Sequence, residues 1–236
     1  MTHGYLTIVL HAHLPYVHHP EHDSFFEENW LFEAILDCYL PLIEMLDRLQ
    51  QDRIRYRLTL SLSPTLITML QDELLQQRFL RHLGRLLELV DKEIERTQAQ
   101  SELHALAQAY RQRYLQALFS YHNHYQCDLL SAFEKHHQAG GLELITTAAT
   151  HGFLPLLNVS SAAVETQIRV GLDTFETRFG FRPKGFWLPE CGFYPGLESH
   201  LQRAGVEYFF VDSHGILDAS ETPRHGVYAP LACGQD

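Results

Sequence analysis

The stretch KGFWLPECGFY (residues 184–194) decides how the chain is read. An apolar, aromatic run passes through Trp187 into a proline and an acid, Glu190, and then into a cysteine and a glycine. Such a run reads as a buried strand that breaks into a loop at its C-terminal end. Glutamate is seldom buried without a partner, and a carboxylate flanked by Trp187 and Phe193 is costly unless it is used. The pattern then repeats: GLESHLQRAG (196–205) is a short helix with a glycine stop, and VEYFFVDSHG (206–215) is another strand, ending in Asp212 and His214.

The same grammar holds toward the N-terminus. LELITTA (142–148) is a strand that runs into ATHGFLPLL, and a helix at about 160–179 precedes Gly180. YLTIVLH (5–11) is the first strand and RYRLTLSLS (55–63), with its period of two, the second; PTLITML after it is a short helix opened by proline. Residues 26–52 carry apolar side chains at helical spacing, and Pro41 is expected to break that segment in two. Two longer helical stretches come next. Leu75, Phe79, Leu83, Leu86, Val90 and Ile94 form one stripe in 73–97. Leu103, Leu106, Tyr110, Tyr114, Leu118, Tyr121, Tyr125, Leu129 and Phe133 form another in 101–137. They predict an antiparallel helical pair inserted at about 73–139, its aromatic stripe packed as core. His122 and His124 lie two apart on a helix and cannot share a face, which argues against a metal pair there. The alternation of strands and helices implies parallel strands joined by right-handed crossovers, in a (β/α) barrel or an open doubly wound sheet, within one domain spanning 1–236.

Strand ends then gather the chemistry. His11 and His13 follow the first strand, His151 the third, Glu190 the fourth, and Asp212 with His214 the fifth. In parallel α/β folds these ends form one rim, where active sites are built. His11 and His13, two apart on a strand, point to one side. Trp187 serves core packing as well as ligand stacking, and Trp30 at a helix start near the rim is read as sugar-facing. Two chemistries compete for the set: a divalent metal held by His11, His13, His151 and an aspartate, or glycosyl chemistry at Glu190 with histidines on sugar hydroxyls. A carbohydrate-binding module is a third reading, but it needs fewer ionisable groups.

Composition narrows the partners. The 236 residues are 45% hydrophobic and 20% charged, with a net charge of −11 when histidines are neutral. That balance fits a neutral, hydroxyl-rich substrate and not nucleic acid. Four scattered cysteines without a C-x-x-C pair read as reduced thiols in the cytoplasm. The opening MTHGYLTIVLHAHLPY has too short an apolar run for a signal peptide or a membrane span.

HAHLPY, ATHGFLPLL and WLPECGF, in this order, resemble glycoside hydrolase family 57, and most closely its α-1,4-glucan branching enzymes. GYLTIVLHAHLPYV, EENWLFEAILDCYLPLI and YFFVDSHGIL are similar as well, so the resemblance spans nearly the whole chain. It implies an incomplete (β/α)7 TIM-like barrel with a long inserted helical pair, acting on α-glucan by a retaining route without a metal or other cofactor. On that resemblance Glu190 matches the nucleophile, while His11, His13 and His151 match residues around the bound glucose and Trp30 a cleft aromatic. Phe193 stands where relatives often have tyrosine. The family's acid/base aspartate, in a later motif, has no counterpart here; Asp212 and Asp218 are the nearest substitutes in this chain. A retaining enzyme needs two carboxyls about 5–5.5 Å apart. Five strands are convincing and GVYAPL (226–231) is a possible sixth, before the chain stops in ACGQD without a closing helix. The expectation is therefore an N-terminal portion of a longer enzyme, inactive alone. An α-amylase or a 4-α-glucanotransferase of the same family is the alternative.

Overall fold

The computed structural model describes residues 4–221 and 223–233. Five parallel strands form one sheet: β1 (Val9–Ala12), β2 (Leu58–Leu62), β3 (Leu142–Thr147), β4 (Gly185–Trp187) and β5 (Tyr208–Phe210). They pair in the order in which they occur in the chain, β1-β2-β3-β4-β5. A doubly wound sheet would reverse direction at a switch point; unbroken sequential order is that of a barrel. The sheet is the incomplete barrel of an α/β fold. Its registers set His11 beside Ser61, Thr147 beside Trp187, and Trp187 beside Phe210, so the strand ends stay level.

The first strand starts later than its composition implies. Tyr5 and Leu6 are exposed, and the ladder begins only where β2 supplies partners, at Val9 opposite Thr59. Residues 226–228 form a short 3-10 turn, so the possible sixth strand is not one. Of the terminal ACGQD, residues 234–236 lie outside the described residues.

The chain divides into two compact units. The first holds residues 1–16, 57–67 and 142–236, and thus the sheet; the second holds 17–56 and 68–141. The helical unit is therefore assembled from two excursions of the chain, and the inserted pair shares it with residues 17–56.

Within the sheet unit, the β3 to β4 crossover is made by α8 (Ser161–Phe179), capped by the Ser160 hydroxyl at its start and by Gly180 (φ 75°) at its end. Val164, Ile168 and Leu172 from α8 join Ala148, Phe186 and Leu188 in a core that excludes water. Each of these side chains larger than alanine contributes about 1.5–3 kcal/mol on burial. α9 (Leu197–Arg203) closes the next crossover with Leu197 and Leu201 in the same core. Gly171 lets α8 approach β3 closely: a Cβ there would lie 2.3 Å from the Thr147 carbonyl oxygen.

In the helical unit, α1 (Glu28–Ala34) continues through a π-helical turn (Ile35–Tyr39) into α2 (Leu40–Gln51). Pro41 does not break this helix. The wider turn immediately before it, with the Leu40 N–H bonding to the Ile35 carbonyl, accommodates the missing donor and the ring. α4 (Glu73–Arg96), N-capped by the Asp72 carboxylate, runs against α5 (Ser101–Leu118). The 101–137 stretch is not one helix: after a π-helical turn (Phe119–His124), Gln126 and Cys127 take left-handed conformations and α6 (Leu129–Gln138) starts anew, capped by Asp128. Leu75, Phe79, Leu83 and Val90 are core as expected, but Leu103, Leu106 and Tyr110 are largely exposed around an apolar cavity of about 230 Å³ between α4 and α5. The buried Glu28 carboxylate accepts a hydrogen bond from Arg78.

Gly171→Ala should lower stability by about 1–3 kcal/mol, the range for overpacking a tight contact. The check is the urea midpoint; an unchanged midpoint would show that α8 can move away from β3 freely.

Candidate active site

His11 is the next-to-last residue of β1, and His13, just past its end, stacks on the same side. The Ser61 hydroxyl, fully buried on β2, shares a hydrogen bond with His11 Nδ1 at 3.1 Å. From β3, residues 148–151 form a tight turn, the His151 N–H bonding to the Ala148 carbonyl, and His151 takes φ 56°. That left-handed backbone is uncommon for a side-chain-bearing residue and costs about 1–3 kcal/mol, which the surroundings must hold. Gln167 on α8 does so, accepting from the Thr150 N–H and donating to its hydroxyl.

The result is a pile of rings. His151 lies against His13 with centroids 3.9 Å apart, and His11 lies against Trp187 at 4.6 Å and 9° between planes. His11 Nε2 and His151 Nε2 share a hydrogen bond at 2.9 Å. Two imidazoles bonded this way require at least one to be neutral. Burial, with His151 and His13 alongside, pushes His11 down to about 3. Burial and His151 push His13 down to about 4, against an opposing pull from Glu190. His151 is also lowered by burial, partly countered by its own backbone. All three are therefore neutral at physiological pH. His13 Nδ1 is buried without a hydrogen-bond partner among the described residues.

Glu190 follows β4 through Leu188 and Pro189. The turn closes with the Cys191 N–H on the Leu188 carbonyl, and both Glu190 (φ 52°) and Cys191 (φ 53°) are left-handed. This elbow turns the Glu190 side chain out of the wall, 76% exposed, while its Oε1 stays 4.0 Å from His151 Nδ1. Gly192 permits it: a Cβ there would strike the Phe153 ring at 2.3 Å, so the loops after β3 and β4 can pack only because that position is glycine. Thr147 ties β4 in place, donating to the Trp187 carbonyl at 2.6 Å, and Phe210 from β5 backs the indole at 5.6 Å.

Asp212 and His214 are also at the rim but form their own pair, 2.6 Å apart, with the Asp212 carboxylate capping the helix Ser213–Leu217. The His214 backbone and ring hold Asp212 below the usual carboxylate range. A general acid needs the opposite shift, so Asp212 is poorly suited as the missing partner. Burial, and then the Asp212 and Glu190 carboxylates, push the Cys191 thiol up. Trp30 lies in the helical unit on α1, 44% exposed. Asp218 is exposed.

His11, His13 and His151, the residues of the metal reading, are packed as rings. Their rings stack, and two of the nitrogens that would bind a metal face each other; among the described residues no group of three His, Cys, Asp or Glu side chains is placed to hold one. The roles of Ser61, Phe210 and the elbow at Glu190 emerge only from the structure. Ser61 has a signal in the period-two SLS of β2; the elbow has none, because left-handed backbone is normally read from glycine.

The profile of glycosyl hydrolase family 57 matches residues 7–233. A 1,4-alpha-glucan branching enzyme of Thermococcus kodakarensis is 34% identical over 97% of this chain and 35% of its own length. Among solved structures, the alpha-amylase AmyC from Thermotoga maritima superposes with a TM-score of 0.92 at 44% identity, over 98% of this chain and 44% of that one. The branching enzyme from Pyrococcus horikoshii gives 0.86 at 35% identity, over 92% and 43%. The chain thus spans well under half the length of these relatives, and it belongs to glycosyl hydrolase family 57.

Proposed function

We propose that this chain carries the nucleophile and the sugar-binding floor of a retaining α-glucan enzyme, a 1,4-α-glucan branching enzyme forming α-1,6 branches in a glycogen-like, cytoplasmic glucan. One observation carries the reading: a left-handed elbow after β4 presents the Glu190 carboxylate beside histidines delivered by two other strand ends. Glu190 attacks the anomeric carbon of an α-1,4-linked glucose, and the bond to the rest of the glucan breaks toward its oxygen. An acid supplied from outside these 236 residues protonates that oxygen. The 6-hydroxyl of a second glucan then attacks the glycosyl-enzyme, its proton passing to the same group acting as base, and the two inversions give retention. Alone, the chain is expected to be inactive on glucan.

Neutral imidazoles suit a neutral sugar. Each has one donor and one acceptor nitrogen, and neither competes with the Glu190 charge. In the tautomer set that serves the carboxylate, Ser61 donates to His11 Nδ1, His11 Nε2–H donates to His151, and His151 Nδ1–H points toward Glu190. His13 Nδ1, left without a protein partner among the described residues, is the natural contact for a hydroxyl. Trp30, Trp187, Asp212 and His214 are assigned to substrate binding. Hydrolysis is the second reading, favoured by the 44% identity to an alpha-amylase. It shares the first displacement and differs in letting water be the acceptor.

In an enzyme that holds both this chain and its acid/base, Glu190→Gln should lower turnover of α-1,4-glucan by about a thousandfold or more with glucan binding kept. Activity within tenfold of wild type removes Glu190 from the role. Because His11 and His13 titrate well below the ordinary 6.5, the unfolded chain binds more protons than the native one between about pH 6.5 and 3. Stability is therefore full above that window and falls as pH drops through it. Urea midpoints from pH 7 to 4 should slope downward, and His13→Gln should flatten the slope; parallel curves for both proteins would contradict the neutral stack.

A further inference from the structure

The helical unit holds a polar cavity of about 280 Å³ that the glucan reading does not use. One wall is α4, which presents Arg78, Arg81 and Arg85 at spacings of three and four, on one face of the helix. Ser24, Phe26 and Asn29 line the other side.

The arginines differ in their commitments. Arg78 is buried and bonded to the Glu28 carboxylate and to the carbonyls of His19 and His22, yet its Nε–H has no partner among the described residues. Arg81 and Arg85 are exposed, with neither an ion pair nor a hydrogen-bond partner among the described residues. Elsewhere in the same unit Arg96, Arg111 and Arg113 are paired with Glu93, Asp91 and Asp37. In a chain of net charge −11, two guanidinium groups left free at a concavity mark a place for an anion. Asp23 also lines the cavity, but with Glu28 neutralised by Arg78, Arg81 and Arg85 outnumber it.

Guanidinium forks match phosphate oxygens in pairs, which is why arginine leads in phosphate recognition. The cavity approaches the size of small-ligand sites and has more room than a bare phosphate needs. Phe26, 75% exposed, offers an apolar face, and Ser24 and Asn29 offer groups for hydroxyls. We propose that this cavity binds a phosphorylated sugar, with the phosphoryl group on Arg81 and Arg85 and the ring against Phe26.

Calorimetric titration of the full chain with glucose 1-phosphate, inorganic phosphate and maltose tests this. Glucose 1-phosphate should saturate at or below millimolar concentration, and inorganic phosphate should compete with it more weakly. The double variant Arg81→Gln/Arg85→Gln, altered only at exposed and unpaired side chains and checked for folding by circular dichroism, should bind the ester about tenfold more weakly or worse. Three results overturn the proposal: no saturable binding at millimolar ester, equal affinity in the double variant, or maltose binding that falls in the variant as much as the ester does. The readout is binding rather than turnover, so this proposal and the assignment of Glu190 can fail separately.

Discussion

Two imidazoles in direct hydrogen-bonded contact cannot both be charged, and the 2.9 Å bond between His11 and His151 makes that constraint the centre of the site. Everything near it serves to satisfy it. Ser61 occupies the other nitrogen of His11, Trp187 covers one face of that ring, and His13 covers His151. Burial then removes the positive charge that each ring would otherwise carry near pH 6.5. The Glu190 carboxylate consequently sits beside a wall of neutral donors and acceptors. Such a wall can orient hydroxyl groups while leaving the carboxylate free of an ion pair that would blunt it as a nucleophile.

That arrangement is set by backbone as much as by side chains. Parallel pairing in sequential order levels the strand ends, so residues distant in sequence by 140 or 180 positions meet on one rim. Left-handed turns at His151 and Glu190 then aim the side chains across that rim instead of along the strands. Strain of this kind persists only where packing over-determines it. Here the contact of Gly192 with Phe153 and the approach of Gly171 to Thr147 supply that packing.

Much of this is legible in the sequence, for definite reasons. Strand identity follows from β-branched and apolar runs that stop at polar loops, and the rim residues follow from their position just after those runs. His11, His13, His151, Glu190, Asp212 and His214 can all be placed that way. Other features depend on information a local pattern does not carry. Pro41 is expected to break a helix, but a π-helical turn absorbs it. The 101–137 stripe is apolar throughout, yet Gln126 and Cys127 interrupt the helix and Leu103 and Leu106 line a cavity open to solvent. GVYAPL has strand composition without a neighbouring ladder to join. Ser61 reads as one more alternating position until the register sets it opposite His11.

The most direct test of the account is to identify the residue that a sugar labels. The protein would be treated with a 5-fluoro α-glucosyl fluoride, whose leaving group needs no acid, then digested and mapped by mass spectrometry. The account predicts a single glucosyl adduct on the peptide containing Glu190, in the sequence WLPECGFY. An adduct on another carboxylate, Asp212 included, would contradict it.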